Sequence, residues 1–136
     1  MRMEYLVFKR SQICFGIGLE HIRKVIANAT IAPVPLTPPG YMGLIFFRGE
    51  LFDVADLGVI MGERTAKKSE GNPTILLKWD QKGIALSTDE IVGLKYVEEK
   101  AAGPESFLLE GIQIKIITPE RVWKMLSELS YGPRQI

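Results

Sequence analysis

His21 is the only histidine in the chain and Cys14 the only cysteine, so the commonest soft ligands and nucleophiles occur once each. A metal site needs several donors converging at a defined spacing, and neither residue has a third partner, so no metal is expected. His21 reads as a solvent-facing or edge residue. Asp53 and Asp56 lie three apart, which would suit a paired acid–base role. Ahead of the segment Leu57–Met61, however, Asp56 reads more simply as a helix N-cap. Asp89-Glu90 and Glu98-Glu99 fall at strand ends, where solvated charge is a sufficient account. Gly16-Ile17-Gly18 begins like a dinucleotide fingerprint, but no third glycine follows at the required spacing, and the two read as close packing. No serine sits in a nucleophile elbow. The residues supply no set of parts for a reaction and call for no cofactor, which points to a binding module. The alternative is a small-molecule-binding or enzymatic β-barrel, which would need a pocket of several hundred Å3 lined by converging polar groups.

The bulk numbers agree with a binding module. The chain has 136 residues, 46% of them hydrophobic and 24% charged, with a formal net charge of +1. That length fits one domain, residues 1–136, with a sizeable core. The near-neutral, interspersed charge gives no electrostatic reason to expect nucleic acid or an anionic membrane as partner. One cysteine cannot form an internal disulfide, which suits a reducing compartment. The apolar run Tyr5–Phe8 is too short for a signal peptide, and no run approaches a membrane span, so a cytoplasmic protein without direct membrane insertion is expected.

Short apolar runs alternate with turn residues, the mark of a mainly β protein. Four hairpins are expected: Tyr5–Lys9 with Ile13–Ile17, Leu44–Phe47 with Leu51–Ala55, Thr74–Trp79 with Ile84–Thr88, and Phe107–Leu109 with Ile112–Ile117. In the last strand Ile112, Ile114 and Ile116 alternate with Gln113 and Lys115, predicting one apolar face. Apolar residues at 19, 22, 25 and 26 predict a helix over Leu19–Ala27. A short helix is expected over Asp56–Met61, ended by Gly62. Thr118-Pro119-Glu120 opens a helix over 119–130 with the stripe Val122, Met125, Leu126 and Leu129. Ala32–Gly40, with four prolines, is a stiff connector, or alternatively a ligand for a proline-recognising domain. Gly62–Pro73 and Glu98–Ser106 read as polar, mobile connectors. No repeat at a fixed period is evident.

Taken in order, these segments resemble the CheW-like domain over nearly the whole chain. The resemblance is carried by Tyr5–Phe8, by Phe15–Val25, and by Ile31–Pro35 with Pro38-Pro39 and Gly43. Leu44–Gly49 with Val54–Leu57, and Asp89–Leu94, complete it. It implies two intimately joined five-stranded β-barrels with a few short helices. It also implies a non-catalytic scaffold between a chemoreceptor's cytoplasmic tip and the CheW-like domain of a CheA-type histidine kinase. Ile22, Lys24, Gly43 and Arg48 match the receptor-facing groove, and exposed edge strands suit kinase docking.

Three positions depart from the family pattern. Lys24 stands where a glutamate usually pairs with the arginine matching Arg48, Phe46 replaces an asparagine, and Asp53 a proline. With a two-residue turn, Leu44, Phe46, Arg48, Leu51 and Asp53 share the outer face of the hairpin, while Ile45, Phe47, Phe52 and Val54 face the core. Asp53 is therefore expected to pair with Arg48. Phe46 is expected to be either an interface anchor or a residue covered by a helix. Trp79 and Trp123 are expected in the core. A homo-oligomer built on the same surfaces is a further possibility.

Overall fold

The structure, a computed structural model, describes residues 2–63, 71–98 and 105–129. Most of the two connectors expected at 62–73 and 98–106 lies outside the described residues. The expected hairpins all form. They are β1 (Arg2–Arg10) with β2 (Ile13–Gly18), β4 (Tyr41–Phe47) with β5 (Glu50–Ala55), β6 (Thr74–Leu77) with β7 (Ile84–Ser87), and β9 (Ser106–Leu109) with β10 (Ile112–Ile117). β3 (Ile22–Ile26) and β8 (Glu90–Glu98) complete ten strands, and α1 (Leu57–Ile60) and α2 (Pro119–Glu128) follow β5 and β10.

Both α-helices start where their caps predict. The Asp56 carboxylate accepts from the Val59 amide at 3.2 Å, and the Thr118 hydroxyl accepts from the Arg121 amide at 3.2 Å. Each satisfies one of the amides left without a partner in a first helical turn. The helix expected over Leu19–Ala27 is not there. A single 3-10 turn, Leu19–His21, leads into β3, which pairs with β6 from Ile22–Leu77 to Ile26–Thr74. Ile22, Val25 and Ile26 are β-branched, and the unpaired edge of β6 offers a ladder that outweighs a weak helical period.

The strands form two five-stranded sheets, ordered β8-β1-β2-β10-β9 and β3-β6-β7-β5-β4. The two orders are the same pattern met twice. The hairpin β1–β2 corresponds to β6–β7, β8 to β3, and β9–β10 to β4–β5. The parallel pair Phe15–Lys115 corresponds to Ile84–Asp53. The turns correspond too: Arg48-Gly49 has φ of 49° and 81°, and Glu110-Gly111 has 51° and 82°. The cap Asp56 after β5 matches Thr118 after β10. The two halves of the chain therefore share one topology, although no repeat is evident in their residue identities. The halves interleave, because β3–β5 complete the sheet of β6–β7 and β8–β10 complete the sheet of β1–β2. Neither half closes a sheet alone.

Burial on both faces explains the unbroken apolar runs. Along β1, Leu6 and Phe8 enter a core shared by the two sheets, while Tyr5 and Val7 fill the interior of the first sheet with Val97, Phe107 and Ile114. Along β6 and β7, Ile75, Leu77, Ile84 and Leu86 enter the shared core, and Leu76 and Ala85 fill the second sheet with Ile45, Phe52 and Val54. Leu57 of α1 and Val122 and Leu126 of α2 cap the shared layer. Gly16 is a close-packing glycine as expected, since a Cβ there would meet Ile114 at 3.0 Å. The last strand departs from its expected face: Ile114 is buried, but Ile112 is 52% exposed at the hairpin end. Trp79 packs against the shared core, whereas Trp123 projects from α2 and stays 36% exposed, outside the core expected for it.

Charge also ties the halves together. Arg10, at the end of β1, is 3% exposed and reaches Asp56 with two hydrogen bonds, Nε to Oδ1 at 3.0 Å and Nη2 to Oδ2 at 2.8 Å. Its Nη1 donates to Asp89 at 2.8 Å, and Asp89 also accepts from the Ser11 amide. Asp89 is therefore no solvated strand-end charge. Burial alone would lower the Arg10 pKa, but the bonds and charges of Asp56 and Asp89 more than offset it and hold it above the ordinary arginine range.

Candidate functional site: the β4–β5 hairpin

The β4–β5 hairpin carries most of the residues singled out in the sequence. Its register pairs Phe47 with Glu50, Phe46 with Leu51 and Leu44 with Asp53. The two-residue turn Arg48-Gly49, with φ positive at both positions, suits the twist of the flanking strands. The alternation is as expected: Ile45, Phe52 and Val54 are buried and Phe47 is half-buried against them, while Phe46 and Leu51 face outward. Phe46 is 70% exposed and Leu51 58%. Among the described residues no helix covers Phe46, and it stands with Leu51 as an exposed cross-strand pair.

Arg48 lies in the turn rather than on the strand face, and this overturns its expected pairing. Its guanidinium folds back over the Phe47 ring at 5.2 Å. Asp53 instead accepts a 2.7 Å hydrogen bond from the Tyr41 hydroxyl and forms an ion pair with Lys82 at 3.4 Å. Lys82 in turn lies 5.0 Å over the Trp123 ring, so Asp53 joins the hairpin to the β6–β7 turn and α2. A double-mutant cycle tests this correction. Asp53→Ala should cost about 1–3 kcal/mol through the lost bond from Tyr41. The coupling of Asp53 to Arg48 should be near zero, while that to Tyr41 should not. A coupling to Arg48 as large as that to Tyr41 would contradict the arrangement.

Lys24 comes from β3, not from a helix. Its ammonium lies 5.5 Å over the same Phe47 ring that Arg48 covers. The two cations share one aromatic face system where an acid–base pair was ruled out by residue type, and neither has an acidic partner among the described residues. Arg23 beside them is paired with Glu50 and lies 5.7 Å over the Phe52 ring. Cation–aromatic contacts of this kind contribute about 0.5–1 kcal/mol each when exposed and fix where the charge is presented.

Ile22 and Gly43 stand apart from this group. Ile22 is half-buried and packs on the shared core. Gly43 has φ of 135°, and a Cβ there would fall on the Ala32 carbonyl oxygen. The backbone of Ala32 exchanges two hydrogen bonds with Leu44, 2.8 and 2.9 Å long, which lays the proline-rich connector across β4. The sequence pointed to Phe46 and Arg48 and put Leu51 on the same outer face, but it missed Arg23 and Lys82. The two-residue turn expected from the sequence is the register that makes Leu51 the cross-strand partner of Phe46.

Two open grooves flank the β6–β7 turn. One, of about 650 Å3, runs between Arg23, Glu50, Leu51 and Trp79; the other, of about 430 Å3, is lined by Tyr41, Asp53 and Trp123. They share Lys82 and lie on the outside of the sheets, whose interiors are filled by side chains. Among the described residues no group of histidine, cysteine, aspartate and glutamate converges as metal ligands, and no helix is long and apolar enough to cross a membrane.

The model of the CheW-like domain matches residues 4–126. The chain belongs to the CheW-like domain family. Among solved structures, this CheW-like domain is similar to the scaffolding protein TtCheW from Thermoanaerobacter tengcongensis, with a TM-score of 0.78 and 21% sequence identity. The likeness covers 87% of this chain and 90% of that one. No curated protein matches the chain in sequence. The two five-stranded sheets and the C-terminal helix are thus the fold expected of a CheW-like domain. Lys24, Phe46 and Asp53, the positions read from the sequence as departures, all fall on or beside one hairpin.

Proposed function

We propose that residues 1–136 form a single CheW-like domain that acts in the cytoplasm as a non-catalytic adaptor, coupling a chemoreceptor's cytoplasmic tip to a CheA-type histidine kinase. In this reading the receptor meets the β4–β5 hairpin and β3, through Phe46, Arg48 and Lys24, while Gly43, Ile22 and Asp53 hold that surface in shape. The kinase's CheW-like domain docks on an edge strand. The observation that carries the proposal is the exposed Phe46–Leu51 pair on a tight two-residue hairpin, beside cations that lie over Phe47. A large exposed aromatic beside arginine is the composition of an interface anchor.

For the kinase, β8 is the stronger candidate edge. It is the first strand in its sheet order, and Val92, Leu94 and Tyr96 are exposed along it by 41%, 49% and 58%. Unpaired backbone groups and an apolar stripe together suit strand-edge docking. The small-molecule reading has two open grooves behind it, and in them Arg23 is already paired with Glu50 and Lys82 with Asp53.

Two variants separate the surfaces. Arg48→Glu is expected to weaken binding of a receptor-tip fragment about ten- to hundredfold and to leave binding of the kinase domain unchanged, with the same thermal midpoint as the parent. Leu94→Glu should do the reverse. An Arg48→Glu protein that unfolds would mark Arg48 as structural, and one that binds the receptor fragment normally would remove the hairpin from the interface.

A further inference from the structure

β3 and β4 are the first and last strands of their sheet, yet side chains from its two edges meet on one ring. The Lys24 ammonium of β3 lies 5.5 Å over Phe47 at the end of β4, and the Arg48 guanidinium lies 5.2 Å over the same ring. The sheet therefore curls until its edges touch at this end. An ion pair already spans that seam, because Arg23, next to Lys24, pairs with Glu50, the cross-strand partner of Phe47. That acid is spent. Lys24 and Arg48 are both exposed, and among the described residues neither has an acidic partner. Basic side chains along a free strand edge are an ordinary defence against unwanted pairing. Arg48 lies in a turn, where there is no ladder to defend, and two like charges over one ring repel each other. The fold alone gives no reason to gather them.

We propose that Lys24 sets the specificity of this surface: with Arg48 it takes a carboxylate from the docking segment of the partner, and it rejects a segment that presents a basic residue there. The occupant is an acidic stretch of the chemoreceptor tip, with an apolar side chain against Phe46 and Leu51 and an aspartate or glutamate beside it. The identity of that partner rests on the adaptor reading; the charge it carries does not. Charge complementarity selects the occupant, since two cations without a counter-charge gain from an acid and lose from a base. Arg48 can hold a carboxylate by two parallel bonds, and Lys24 adds a point charge. A nucleic acid would need many phosphate contacts, and a chain of net charge +1 offers no wider basic field for them.

Calorimetric titration of the full chain with a purified receptor-tip fragment from the same source tests it. The parent's affinity is expected to fall about tenfold from low to high salt. Lys24→Glu is expected to weaken binding about thirtyfold and Lys24→Met about threefold, both with the parent's melting midpoint. Replacing one exposed acidic residue of the fragment by lysine should restore binding to Lys24→Glu and weaken binding to the parent. A fragment that binds the parent, and binds Lys24→Glu as tightly, would overturn the proposed selectivity and leave the adaptor reading standing. Failure of every such lysine fragment to restore binding would do the same. A folded parent that does not bind the fragment would overturn both. Should Lys24→Glu not fold, unchanged affinity of Lys24→Met would overturn the selectivity by itself.

Discussion

Replacing Arg10 by methionine is expected to cost about 3–5 kcal/mol of unfolding free energy, measured by urea denaturation. The size follows from what the substitution leaves behind. Asp56 is 2% exposed and takes two of the three side-chain bonds that Arg10 makes, so without the guanidinium a carboxylate stays buried with no counter-charge. The bond to Asp89 is worth less, since that side chain is 32% exposed and screened by water. A second substitution separates a missing contact from a stranded charge. Asp56→Asn added to Arg10→Met should recover much of the loss, because asparagine carries no charge and still caps α1. The pH behaviour has a definite sign. The Arg10 pKa is raised in the folded protein, so its stabilisation is complete below the ordinary arginine range and is lost only as pH rises through the raised value. Titration of Arg10 should therefore leave stability flat across neutral pH. A loss under about 1 kcal/mol for Arg10→Met would mean that water enters the site and the two sheets are not locked there.

Gly43→Ala is expected to cost about 2–4 kcal/mol, from a side chain in a conformation that only glycine adopts freely and from a collision with the connector. The Ala32 carbonyl that the new methyl would strike is the one that accepts from the Leu44 amide. The substitution thus attacks the strap that lies across the proposed receptor-facing strand. The expected result is a lowered melting midpoint, with receptor-fragment binding near normal at temperatures where the protein remains folded. Unchanged stability with lost binding would instead make Gly43 a direct contact.

These two sites show where the sequence was readable and where it was not. The four hairpins were legible because each is local: apolar runs on either side of a turn carry their own register information. Both caps were legible for the same reason, since Asp56 and Thr118 act on amides three residues away. Leu19–Ala27 failed because the spacing of Leu19, Ile22, Val25 and Ile26 fits a helix, and the strand that claims β3 lies some fifty residues on, in β6. The cluster of Arg10 with Asp56 and Asp89 joins residues 46 and 79 positions apart, beyond the reach of any local pattern. Asp53 was placed on the correct face, but its partners Tyr41 and Lys82 depend on a turn packing back across the sheet. Arg48 was misassigned although the register was right: alternation carries a side chain to a face only while the strand continues, and at Arg48 the turn has begun. The shared topology of the halves escaped notice because the matched turns share backbone conformation while their side chains differ, as arginine against glutamate shows.

Coupling of receptor to kinase is what defines an adaptor, and kinase autophosphorylation reads it directly. A CheA-type kinase and receptor-bearing membranes from the same source, assayed with and without this protein, supply the test. Receptor-dependent control of the kinase should appear only when the protein is added, and Arg48→Glu and Leu94→Glu should each abolish it while remaining folded. Kinase output that ignores a folded, purified sample of the protein would contradict the adaptor reading.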